Sequence, residues 1–225
     1  MRAIFILFQK DLIHERNSGE LILVSVTLCL LLGTLTAFGL REAVLAPEAI
    51  DRTFGTLVWL LFLFSGMLVS VRLLDSDLRD SAYQALLLSG ASPTQLFLSK
   101  ALFGGILLLA LHALQFAILY IFLQPTFSPQ ILLFFLISVC VVCCFVSLSL
   151  LLSAIAEHSR LKAVLFPILL LPVLFPVFFG ALSTTQDLFL NQQFDLTSFW
   201  VEALPALALV YLGLGVSLFE YVILE

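Results

Sequence analysis

The sequence is short of charge. Asp, Glu, Lys and Arg together make up 11% of its 225 residues, where a soluble domain carries about a quarter. So sparse a polar complement cannot coat a globule in water, so lipid must be the solvent for most of the chain. A phosphate loop of the form GxxxxGK[ST] is also lacking, which excludes nucleotide binding by that backbone cradle. Any ATP-driven step therefore needs a second polypeptide. A formal net charge of −5 leaves no basic surface for releasing counterions and argues against nucleic acid as a partner. Histidine is confined to His14, His112 and His158, and tryptophan to Trp59 and Trp200. No apolar run carries a paired acid and base, a Ser–His set or a metal cluster, so the chain reads as non-catalytic.

What is present is overwhelmingly apolar: 62% of residues are hydrophobic and the mean hydropathy is +1.17. Backbone in lipid must satisfy its own hydrogen bonds, which leaves helices or a closed barrel. The runs are continuous rather than alternating, so the fold class is an all-α polytopic membrane protein. Phe, at 22 residues, suits a lipid-facing surface. Six stretches near the length needed to cross a bilayer are Leu21–Leu40, Phe54–Val71, Ala101–Leu123, Ile131–Ile155, Leu161–Leu182 and Val201–Leu224. The opening Met1 to Phe8 run breaks at Gln9-Lys10-Asp11, and the next run is too long for a signal-peptide core; this segment is expected to remain. Residues 1–20 are expected to hold an interfacial amphipathic helix. Ile4, Phe5, Leu7, Phe8, Leu12 and Ile13 share one side, with Asp11, Glu15 and the basic residues mostly elsewhere. The whole of 1–225 then forms one transmembrane domain.

Eight of the ten Lys and Arg residues fall before span one, between spans two and three, or between spans four and five; Arg41 and Arg52 alone lie opposite. The positive-inside rule puts the N-terminus in the cytoplasm, and an even number of spans brings the C-terminus back to the same side. Trp59 and Trp200 read as interface anchors.

Three places invite a functional reading. Between Arg72 and Lys100 runs a cytoplasmic connection with a charged start (Asp75, Asp77, Arg79, Asp80) and a short apolar helix around Gln84, Leu86 and Leu87. Gly90 is placed to end that helix, and Ser92-Pro93-Thr94-Gln95 forms a capping box that opens the next one. Such a helical knob suits a docking partner; an ordinary connecting loop is the plainer alternative. The fifth span holds Pro167, Pro172 and Pro176, each of which removes a backbone donor and pushes away a carbonyl. Pro172 and Pro176 share a face, as a hinge, the wall of a transport path or a kink fixed by packing. His112 and Gln115 are polar at depth and lie three apart on one face, which makes them candidates for the transport path or for a bond between helices. The Cys140, Cys143 and Cys144 cluster has no nearby His or carboxylate and reads as packing.

These residues carry a likeness that spans nearly the whole chain. Arg72 through Asp80, Leu86 to Ser89, Pro93 and Lys100, with Arg160 to Lys162, Pro172 and Pro176 to Gly180, resemble the CcmB family, the membrane subunit of the ABC-type complex of cytochrome c maturation. The sequence departs from the family pattern at Ser81, where Gly is usual, and at Gln84, where Glu is usual. The resemblance implies an ABC-2-like exporter permease in the bacterial inner membrane. The 72–100 segment would be the coupling element, with Arg72, Asp75, Asp77, Arg79, Asp80, Gln84, Leu86 and Lys100 meeting the ATPase. Implied partners are a cytoplasmic ATP-binding cassette subunit carrying the ATP, a tryptophan-rich haem-handling membrane subunit and a periplasmic haem chaperone. Haem would be handled by the complex, with no cofactor held by this chain. Six spans commonly make half a transporter, so a homodimer is also expected. Two other readings fit the same residues: an ABC-2 permease for a lipid, drug or other amphiphile, and a membrane assembly factor without an ATPase.

Overall fold

The computed structural model describes residues 2–42, 47–73, 90–126, 131–157, 161–191 and 198–224. Seven helices carry nearly all of them: α1 (Arg2–Ser18), α2 (Glu20–Glu42), α3 (Pro47–Leu73), α4 (Pro93–Leu123), α5 (Ile131–Glu157), α6 (Lys162–Gln186) and α7 (Phe199–Leu224). No strand occurs among the described residues. Helices α2 to α7 are the six long and apolar enough to cross a membrane. They begin and end within a few residues of the expected spans, except where polar or charged residues hide the helix from hydropathy, as at the start of α4, which is Pro93 rather than Ala101. Thus α3 starts at Pro47, because its first turns carry Glu48, Asp51 and Arg52. Likewise α6 runs beyond Leu182 to Gln186 and closes in a π-helical turn, Asp187–Asn191.

Local sequence explains the breaks. Gly19 adopts φ +62, a left-handed conformation that glycine reaches without steric cost. Its N–H closes α1 on the Glu15 carbonyl at 2.6 Å, and its own carbonyl accepts from Leu23 N–H at 2.9 Å. One residue therefore ends α1 and seeds α2, which makes a sharp elbow. At the start of α4 the capping box is complete. Ser92 Oγ accepts from Gln95 N–H, Gln95 Oε1 accepts from Ser92 N–H, both at 3.2 Å, and Pro93 occupies the first position.

The bundle is built around α4, which touches α1, α2, α3, α5 and α7. Its 31 residues span about 46 Å at 1.5 Å per residue, so its first turns project past a hydrocarbon core of about 30 Å. With no hydrophobic force to join helices in lipid, close approach has to come from small residues. A side chain on Gly55 would meet Thr185 Cγ2 at 2.8 Å, and one on Gly104 would meet Leu73 at 2.7 Å. At the end of the bundle away from α1, Thr126 donates its backbone N–H (2.8 Å) and its hydroxyl to the Asp51 carboxylate.

One expectation needs correction, and α1 shows which of its sides packs inward. The inward face of α1 is Leu7, Asp11 and Glu15, all buried, whereas Phe5, Ile6, Leu12 and Ile13 point outward. The carboxylates turn toward the bundle because their partners are there, and the apolar side turns to lipid. Trp59 is no interface anchor: at 3% exposure it lies in the core, because it sits three turns inside α3 and has a hydroxyl to bond.

Candidate functional site

Of the expected coupling residues, Asp75, Asp77, Arg79, Asp80, Gln84 and Leu86 lie outside the described residues. Arg72 and Lys100, which flank them, are both placed. Arg72 ends α3 and donates to Glu20 Oε1 at 3.3 Å, an exposed pair at the start of α2. Lys100 lies two turns into α4, is 3% exposed, and binds Asp11 Oδ1 at 3.0 Å across 89 residues of sequence. Lys10 reaches the same oxygen at 3.3 Å from the outer side. Asp11 Oδ2 is buried with no partner. One turn on, Glu15 Oε1 accepts from Ile22 N–H at 2.8 Å and so caps the first turn of α2.

These residues ring an open cavity of about 560 Å³ lined by Asp11, His14, Glu15, Glu20, Arg72 and Lys100 over an apolar floor that includes Leu21, Val71 and Phe103. Its electrostatics are those of a fastener between helices. Removing two charges from water is costly, and the pair repays that cost only while both partners stay. Breaking such a pair on one side typically costs about 3–5 kcal/mol, against about 0–1 kcal/mol for an exposed pair such as Arg72–Glu20. Sequence reading had singled out Lys100 and missed Asp11, Glu15 and Glu20. The signal available was the i, i+4, i+8 spacing of Leu7, Asp11 and Glu15, which sets two acids on one face beside a lone buried lysine.

A second polar group lies deep in the bundle. His112 is fully buried, and its Nε2 is 3.0 Å from Ser138 Oγ on α5. The Ser138 hydroxyl also lies 2.8 Å from the Phe134 carbonyl, its hydrogen-bond acceptor. The ring is sandwiched between Trp59 (4.8 Å) and Phe134 (5.5 Å), with Phe62 edge-on at 5.0 Å. Both faces of the imidazole are thus covered by rings. Gln115, also fully buried, donates from Nε2 to the Leu61 carbonyl (3.1 Å) and to Ser65 Oγ (3.0 Å) on α3. Trp59 Nε1–H donates to Thr185 Oγ1 at 2.9 Å, which ties α3 to α6. Two buried atoms, His112 Nδ1 and Gln115 Oε1, have no partner. The group can lock α3, α4, α5 and α6 together; it contains no acid–base pair and no nucleophile poised beside a base.

The remaining expected residues scatter. Pro167, Pro172 and Pro176 all lie within α6; Pro172 is exposed on the outer surface and Pro176 half-buried. Tyr211 of α7 donates to the Val173 carbonyl at 3.1 Å, within the turn these two prolines weaken. Neither proline touches the His112 group in any recorded bond. Cys140 and Cys143 are half-buried, Cys144 is buried, and all three are free thiols. Among the described residues no cluster of His, Cys, Asp and Glu could hold a metal ion.

Among curated proteins none matches the chain. The family model described as CcmB protein matches residues 2–218. Six helices long and apolar enough to cross a membrane lie in or overlap that stretch, and Met1 and the last seven residues fall outside it. The chain is thus an integral membrane protein that belongs to the CcmB family, the haem exporter permease components of cytochrome c maturation.

Proposed function

We propose that the protein is the non-catalytic permease subunit of an ABC transporter complex in cytochrome c biogenesis, with ATP bound and hydrolysed on a separate cytoplasmic subunit. The carrying observation is the family match over residues 2–218 in a chain whose sequence has no phosphate loop. Eight of ten basic residues on the α1 side support cytoplasmic termini in a bacterial inner membrane, with α1 at the interface. The 72–100 connection is then cytoplasmic, and Asp75, Asp77, Arg79, Asp80, Gln84 and Leu86 offer the ATPase its docking surface.

In this reading ATP binding shifts the permease between two packings by contacting one better than the other. The polar group around His112 and Gln115 and the proline-weakened turn of α6 are the parts suited to repacking. Haem is substrate rather than resident cofactor. With His112 enclosed by rings, haem handling falls to a tryptophan-rich membrane subunit and a periplasmic haem chaperone, and the stroke serves haem delivery or release of that chaperone. The copy number, with a homodimer as the expectation, belongs to the same proposal.

The test is a tagged pull-down from native membranes in mild detergent, with partners identified by mass spectrometry. Recovery of a small ATPase together with a tryptophan-rich membrane subunit and a haem chaperone is the expected result. An ATPase alone would point to an ABC-2 permease for another amphiphile. Recovery of neither would overturn the permease reading.

A further inference from the structure

The two residues that bracket the coupling connection are tied to adjoining helices on either side of one elbow. Lys100, just after it, is held by Asp11 of α1; Arg72, just before it, is held by Glu20 of α2. Asp11 and Glu20 lie on either side of the Gly19 elbow, and Glu15 fixes that elbow by capping Ile22 N–H at 2.8 Å. Of the two ties, the inner one is firm. Lys100 and Asp11 are 3% and 6% exposed, against 47% and 77% for Arg72 and Glu20. Salt screens the outer tie and scarcely touches the inner. Phe8 of α1 also packs edge-on against Phe103 of α4, with ring centroids 6.3 Å apart, one turn from the ion pair. An apolar contact and a buried charge pair together make a joint that resists sliding, while Phe5, Ile6, Leu12 and Ile13 on the outward face of α1 are exposed.

We propose that the buried Asp11–Lys100 pair is the joint that carries movement of the coupling segment into α1, so that α1 and α4 move as one lever and the elbow passes the displacement to α2. Asp11 and Lys100 act here as positioning residues: neither touches nucleotide or cargo. The proposal rests on the permease reading of the previous section. It assigns α1 a part in transmission beyond anchoring the chain to the interface.

The chemistry of the pair supports a joint rather than a simple clamp. Both lysines reach Oδ1 of Asp11, at 3.0 Å and 3.3 Å, and Oδ2 is left buried without a donor. Rotation of the carboxylate could exchange the oxygen that faces Lys100 without parting the charges. The pair can therefore follow a change in the angle between α1 and α4 while it stays closed.

The experiment uses the complex purified with its ATPase and placed in nanodiscs, with spin-labelled non-canonical amino acids at exposed Leu12, Leu102 and Tyr221. Distances are measured by pulsed electron paramagnetic resonance without nucleotide and with a non-hydrolysable ATP analogue. In the native pair the 12–102 distance should stay fixed while 12–221 and 102–221 shift together, by an amount typical of helix shifts, about 1–2 Å or more. In D11N the 102–221 shift should persist and the 12–221 shift should vanish. The charge swap D11K/K100D should restore it. Should D11N fail to assemble, K100M and the swap carry the same comparison. Equal 12–221 shifts in native and D11N complexes, or a swap that assembles and stays uncoupled, would overturn the joint and leave the permease reading standing. Failure of the native chain to recover any ATPase would overturn both.

Discussion

Replacing Gln115 with leucine removes two hydrogen bonds and should nevertheless cost little. Gln115 is fully buried and donates to the Leu61 carbonyl and to Ser65 Oγ. Hydrogen bonds between membrane helices average about 0.6 kcal/mol each, so the loss is about 1 kcal/mol. The Leu61 carbonyl keeps the Ser65 hydroxyl at 2.9 Å and is not stranded. Against this, Oε1 of the same amide is buried without a partner, and deleting such an atom recovers about 1–3 kcal/mol. Leucine nearly conserves the volume, which keeps repacking under about 1.5 kcal/mol. The sum runs from about 1.5 kcal/mol against Q115L to about 2 kcal/mol in its favour, centred near zero. Q115A, by contrast, opens a cavity and should lose about 2–5 kcal/mol, as large-to-alanine changes in cores do. Thermal unfolding in nanodiscs, followed by tryptophan emission, should therefore place Q115L close to the native chain and Q115A well below it. A Q115L that falls as far as Q115A would refute the reasoning and show the two donated bonds to dominate.

Three further outcomes are expected. T185V leaves the Trp59 indole N–H in the core without its acceptor, and should cost about 1–2 kcal/mol of stability, within the range for a stranded buried donor. T185S keeps the acceptor hydroxyl and should avoid most of that loss, and a W200F background isolates the Trp59 emission that reports it. E20Q removes an exposed pair and should change stability by less than about 0.5 kcal/mol, indistinguishable from the native chain in high salt. Charge reversal of Asp77 and Asp80 to Lys should abolish co-purification of the ATPase in the pull-down while the permease keeps its native unfolding temperature; undiminished ATPase recovery would count against that docking surface.

The six spans were legible because continuous apolar runs in lipid have one solution, and the start of α4 because Ser92, Pro93 and Gln95 carry their own instruction. What the sequence hid was which side of each helix faces protein. Reading α1 as an amphipathic helix separates its apolar and charged sides but does not say which packs on the bundle; Asp11 and Glu15 turn in, to partners 89 and seven residues away. Trp59 was misread through its type, although its distance from the helix start at Pro47, about 18 Å at 1.5 Å per residue, already puts it at depth. His112 was recognisable as a residue of consequence, but its sandwich of rings depends on α3 and α5, which no local pattern reveals. Asp75 to Leu86, the most suggestive stretch of sequence, lies outside the described residues, so its docking role stays with the family resemblance.

The elbow at Gly19 also bears on how the chain is made. Asp11 is translated 89 residues before Lys100, an interval of about 5–18 s at ribosomal rates of 5–20 residues per second. Through that interval the first two spans can already be threaded into the bilayer while Asp11 of α1 has Lys10 but not Lys100 beside it. The arrival of the third span supplies the buried partner that docks it. Helix α1 is thus fixed only after the two spans that follow it, and a nascent chain halted before residue 100 should leave α1 open to protease.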